Sequence, residues 1–225
     1  MNKKILSIGL LLLFLFLGTS SPKTTFQLGE RPNEMYLPQK IKVRKHTDNY
    51  TWYVFKHISR KKNKAVLTWH ETKEETQEIY SLLPIFTGDD YTKLQKINRH
   101  IIDTYDYDYG YTNRTAYSGY RTGKMVCIGF AEMVKLLCDK NKIPCYIVNS
   151  SNHAWNVVRM KNGKWYHIDT TWNNTARNKG GTGEEYFLRG DNFFSTLRNH
   201  TVTDGWGIKV EKEDYLEESK NTKDK

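Results

Sequence analysis

The stretch from Val126 to Asp139, VCIGFAEMVKLLCD, constrains the fold more than any other. Ile128, Phe130, Met133, Val134, Leu136 and Leu137 are spread round every side of a helix drawn through it. A helix with one apolar stripe lies on a surface, whereas a helix apolar on all sides has to be enclosed. Three strand candidates follow at 143–148 (IPCYIV), 153–160 (HAWNVVRM) and 164–172 (KWYHIDTTW), and Asn162-Gly163 between the last two is a hairpin signal. An enclosed helix followed by an antiparallel ribbon predicts an α+β domain, with the buried helix packed on an antiparallel sheet.

Upstream, 49–58 (NYTWYVFKHI) and 64–70 (KAVLTWH) are rich in aromatic and β-branched residues and read as strands, with RKKNK at 60–64 as the hairpin tip. Thr72 followed by Glu75 is a capping-box pattern that opens a helix over 72–86, which Pro84 should end. Asp89 or Asp90 caps a second helix, with Leu94, Ile97, Ile101 and Ile102 at helical spacing. The segment 104–120 carries six tyrosines but is interrupted by Gly110, Asn113, Ser118 and Gly119, so it reads as irregular. Its rings suit either packing over a core or a recognition surface. Residues 173–183 read as a loop, 184–194 as a strand turning into a short helix, and 213–225 as a charged tail.

The chain opens with Lys3 and Lys4 before an apolar run, Ile5 to Gly18, that is short for a membrane span and is followed by small residues. This is the pattern of a secretory signal peptide over 1–20. It predicts export, no stable span after cleavage, an extension or linker over 21–48 and a domain over 49–212. Losing Lys3 and Lys4 with no acid takes the formal net charge from +10 to +8. A positive surface favours anionic partners such as cell-surface polymers, although lysines scattered for solubility fit equally. No basic run is long enough to predict nucleic-acid binding. No calcium loop or metal-ligand cluster stands out, so no cofactor and no metal is expected.

Three cysteines cannot all pair. Cys127 falls at the first turn of the enclosed helix, where unsatisfied N–H groups and the helix dipole favour a thiolate. A small buried apolar cysteine fits the same position. Cys138 and Cys145 read as core, with a disulfide between them as an alternative. A thiolate nucleophile needs a base, and the base needs an orienting group. His153 and Asp169 lie on adjacent strand candidates, so the hairpin register decides whether they meet. A strict two-residue loop at Asn162-Gly163 would put them on opposite faces of the sheet. A three-residue loop over 161–163, with Gly163 left-handed, would put them on one face together with Trp155 and Thr171. The second register is predicted.

These residues resemble the transglutaminase-like superfamily of papain-type cysteine enzymes. The resemblance rests on GKMVCIGFAEMVKLLCDKNKIPCYIV, then HAWNVVRMKNGKWYHIDTTW, then YFLRGD, and covers about residues 70 to 200. It implies a papain- or transglutaminase-like core with Cys127 as nucleophile, His153 as general base and Asp169 as orienting carboxylate. Tyr117 then holds the aromatic position before the cysteine and, with Trp155 and Trp172, is a candidate substrate contact. Bacterial relatives often carry Gln or Ser directly after the cysteine, where this chain has Ile128. The implied activity is acyl transfer from carboxamide groups of a protein or peptide substrate, of transglutaminase, deamidase or protease type. A noncatalytic binding or adhesion module and a cell-wall amidase are the competing readings.

Overall fold

The computed structural model describes residues 34–36, 48–61 and 64–216. The segment read as a signal peptide, most of 21–48 and the end of the tail lie outside the described residues. Among the described residues no helix is long and apolar enough to cross a membrane.

The enclosed helix is α5, Cys127–Lys140, in which every residue from Gly129 to Asp139 is buried. A helix can carry charges into a core only if they are paired. Glu132 accepts a hydrogen bond from the Ala116 N–H at 2.8 Å, and Lys135 meets Asp139 one turn on at 2.5 Å. Around α5 lie α2 (Lys73–Leu82), α3 (Asp90–Thr104) and an antiparallel sheet of β6 (Cys145–Asn149), β7 (Ala154–Arg159) and β8 (Trp165–Ile168) in the order β6-β7-β8. Asn156 of β7 pins the sheet to the helix by donating to the Ala131 carbonyl at 2.9 Å. This is the expected α+β architecture.

A second antiparallel sheet has the order β1-β3-β2, from β1 (Glu34–Tyr36), β2 (Phe55–Lys61) and β3 (Lys64–Trp69). β1 falls within the segment read as a linker. The capping box of α2 forms as the sequence predicts, with Glu75 N–H donating to Thr72 Oγ1 and Thr72 N–H to Glu75 Oε2.

Three short helices correct the sequence reading, and each starts at a side-chain cap. Residues 49–53 are α1 (Asn49–Tyr53), not strand, because Asp48 receives the Thr51 N–H. Within the tyrosine-rich segment, Thr115 and Ser118 form a capping box that opens α4 (Ala116–Thr122). Residues 170–178 are α6 (Thr170–Asn178), not strand and loop, because Asp169 receives the Trp172 N–H. Residues 184–189 form turns with a single bridge, His167 to Arg189, before α7 (Asp191–Phe194). The start of the predicted tail is docked: Tyr215 N–H donates to the Leu188 carbonyl, and Arg189 pairs with Asp214 at 2.7 Å.

The β7–β8 register is the predicted one. Val157 faces His167, Val158 faces Tyr166 and Arg159 faces Trp165, each pair summing to 324. Gly163 has φ +80 and its N–H closes the loop onto the Met160 carbonyl at 2.8 Å. A Cβ there would meet nothing closer than 3.7 Å, so the demand is on the backbone alone. Gly163→Ala is expected to cost about 1–2 kcal/mol, the strain of a left-handed non-glycine residue. Urea melts should show a lower midpoint at unchanged slope.

Candidate active site

Cys127 is the first residue of α5, and the capping residue Val126 offers no side-chain acceptor. The amides of the first turn therefore remain available to an external acceptor. The lead-in is held rigidly. Strand β4 (Asp106–Tyr107) runs parallel to β5 (Lys124–Met125) just before the cysteine. Asp108 gathers the loop between them, accepting from the N–H groups of Gly110, Thr112 and Asn113. The Asn113 amide and these partners hold its carboxyl well below the usual carboxylate range. The Asn113 carbonyl in turn receives the Val126 N–H at 3.0 Å. Gly129 lets α5 come close to α4: a Cβ there would lie 2.8 Å from Met125 and 3.2 Å from the Thr115 carbonyl.

His153 enters β7 and Asp169 leaves β8, and the register brings them together. His153 Nε2 lies 2.6 Å from Asp169 Oδ2. Cys127 lies close enough to the imidazole to raise its pKa as well. Burial opposes a charge on the imidazole, but the Asp169 carboxylate and then Cys127 outweigh it and raise its pKa. Burial likewise opposes ionisation of Asp169, and the charge and hydrogen bonds of His153 and His200 outweigh it, holding that carboxyl well below its ordinary value. Imidazole and carboxylate thus pair directly, and Cys127 is near enough to bear on the charge of the imidazole.

The other sequence candidates divide. Trp155 is 1% exposed; it stacks on His153 at 5.8 Å and donates its indole N–H to His167 Nδ1 at 3.0 Å, so it walls the imidazole from behind. Trp172 is half-buried, 6.0 Å from the His153 ring, and keeps some surface open. Tyr117 turns to α2, where its hydroxyl donates to Glu78 at 3.2 Å. Another tyrosine of that segment is within electrostatic reach of the cysteine: burial first, then a charge on Cys127, raises the hydroxyl of Tyr107. Cys138 and Cys145 are wholly buried, and all three cysteines are free. His100 of α3 is half-buried with its ring edge to Phe86.

Sequence reasoning missed His200. Its Nε2 lies 2.9 Å from the same Asp169 Oδ2 that His153 uses. One nitrogen of each histidine and an oxygen of Asp169 thus fall within 4.8 Å of one another, and hydrogen bonding among them accounts for the cluster. No local periodicity or motif marks His200. His167, Asp191, Phe194 and His200 also border a cavity of about 790 Å³. Cys127, His153 and Asp169 are not among its walls, so the chemistry and not this cavity marks the site.

Residues 85–170 match the sequence model of the transglutaminase-like superfamily. That stretch is similar to the core of the transglutaminase-like superfamily. It holds Cys127, His153 and Asp169 and is narrower than the sequence resemblance, since YFLRGD and His200 lie beyond it. Among solved structures, the core is similar to a candidate cysteine protease of Cytophaga hutchinsonii (23% identity, TM-score 0.37, 44% of this chain and 37% of that one). It is also similar to a TGase (17%, 0.35, 44% and 30%) and to a candidate protease of Parabacteroides distasonis (10%, 0.35, 50% and 32%). The chain therefore spans about a third of the length of each. No curated protein matches the chain.

Proposed function

We propose that the protein is a cysteine-dependent acyl-transfer enzyme acting on carboxamide groups of proteins or peptides, with Cys127 as nucleophile, His153 as general base and acid, and Asp169 as the group that orients His153. The observation that carries this reading is the 2.6 Å contact from His153 Nε2 to Asp169, beside a cysteine at an uncapped helix start that bears on the same imidazole.

In the proposed reaction His153 holds the proton of Cys127, and the sulfur attacks the carboxamide carbon. The C=O π electrons move to oxygen, and the oxyanion is received by the first-turn amides of α5. Tyr117 is not free to serve as a further donor, because its hydroxyl is occupied by Glu78. The oxyanion collapses to a thioester, the C–N bond breaks, and the leaving nitrogen takes the proton from His153. Water or an amine then attacks the thioester, gives its proton to His153, and releases Cys127. Water yields deamidation or cleavage; an amine yields transamidation.

Two measurements test this. Iodoacetamide at mildly acidic pH should label Cys127 far ahead of Cys138 and Cys145; equal slow labelling of all three would favour a binding module. A glutamine peptide with a labelled amine, run beside a peptide-cleavage assay, separates the two fates of the thioester.

A further inference from the structure

His200 makes two hydrogen bonds, and both partners can only accept. Its Nδ1 lies 2.9 Å from the Arg198 carbonyl oxygen and its Nε2 lies 2.9 Å from Asp169 Oδ2. An imidazole satisfies two acceptors at once only when both nitrogens carry hydrogen. His167, one layer away, shows the opposite arrangement. Its Nδ1 receives the Trp155 indole N–H, so that nitrogen is bare, and its Nε2 donates to Asp191 Oδ1 at 2.9 Å. The partners of the two buried histidines thus call for different arrangements of ring hydrogens.

We propose that His200 is a positioning residue of the acyl-transfer site: a doubly protonated ring that holds Asp169 through the same oxygen His153 uses and sets the charge His153 feels. This inference rests on the triad reading above. With His200 charged, thiolate, imidazolium, carboxylate and imidazolium alternate in sign and sum to zero. Without it, the same buried set carries one net negative charge, which low-dielectric surroundings penalise. The ring is enclosed by aromatics that favour a cation, with centroids of Trp172, Trp155 and Phe194 at 4.5, 4.8 and 4.9 Å.

Among the described residues, the groups facing His200 come from several elements, and Lys209 and Lys212 line the same cavity as His200. From the start of α6 comes Asp169, and from the entry to β7 comes the His153 ring at 5.0 Å. From β8 comes His167, whose far nitrogen is bonded to Asp191 of α7. Its own segment supplies the Arg198 carbonyl. Asp169 Oδ1 is committed to the Trp172 N–H at 3.0 Å, so both histidines converge on the single remaining oxygen. That fixes the carboxylate plane, and through it the aim of His153 at Cys127.

The deciding measurement is the ¹⁵N spectrum of histidine-labelled full chain near neutral pH. His200, recognised by its contacts to the Trp155, Trp172 and Phe194 rings, should show two protonated nitrogens, and His167 one. A bare nitrogen on His200 overturns the proposal. The readout needs neither turnover nor a variant that folds. Turnover that survives loss of Cys127 would instead overturn the triad, so the two failures are distinct. His200→Gln, which can still donate to Asp169 but carries no charge, should move the acid limb of the Cys127 alkylation profile up by about one pH unit. His200→Phe should lower kcat about 100-fold with KM unchanged, and the glutamine variant should recover part of that loss. An unmoved limb in His200→Gln would mean that His200 only fills space.

Discussion

Cys127→Ala is expected to lower kcat by about 10⁴-fold or more, the size of effect seen when a triad member is lost. Among the described residues nothing nearby can replace the sulfur. Cys138 and Cys145 are fully buried, and burial raises the Cys138 thiol well above its ordinary pKa. Ser150 Oγ is committed to the backbone of His153, whose N–H it accepts at 3.1 Å. The fold should tolerate the change, because Cys127 is only half-buried and alanine is a strong helix former. The melting temperature should therefore stay close to that of the wild type while both amine incorporation and peptide cleavage vanish. If either activity persists in the variant, the assignment of the nucleophile is wrong.

The second large effect belongs to Asp169→Asn. Asparagine caps a helix about as well as aspartate, so α6 should still start at the same residue, and the change isolates the lost charge. Two imidazoles would then face a neutral amide. Leaving a buried charge without its partner costs about 3–5 kcal/mol, and a misdirected base costs about 10⁴-fold in kcat. Linkage fixes the pH dependence. The His153 pKa is raised from 6.5 to about 10, so its stabilisation is complete below 6.5 and is lost as pH rises towards 10. The Asp169 pKa is depressed, so its contribution is complete above the ordinary carboxylate range and is lost only in acid. Calorimetry on the wild type should show the melting temperature falling between about pH 6.5 and 10. The asparagine variant should start lower and stay nearly flat across that window. A wild-type curve with no alkaline decline would contradict the buried His153–Asp169 pair.

What could be read from the sequence followed from long-range necessity. An all-apolar helix had to be enclosed, so α5 was legible, and with it the placing of Cys127. Face parity required an odd loop for His153 and Asp169 to meet, and Gly163 supplied the left-handed residue that such a loop needs. The misread segments share a different cause. Composition over 49–53 and 169–172 favours strand, yet one side chain in each case, Asp48 or Asp169, captures a backbone N–H and starts a helix. A single local hydrogen bond outweighs a weak average preference. His200 was illegible for a third reason. It lies beyond the last strand of the core and reaches Asp169 only through the path of the chain after α7, which leaves no spacing to recognise.

The hairpin over 161–163 sits far along the ribbon from the sulfur, yet it limits how chains with this core can vary. Lengthening that turn by two residues extends the ribbon and preserves parity. Adding or removing one residue turns Asp169 to the opposite side of the sheet, while leaving every reactive group in the sequence untouched. Tolerated length changes at this distant tip should therefore come in even steps.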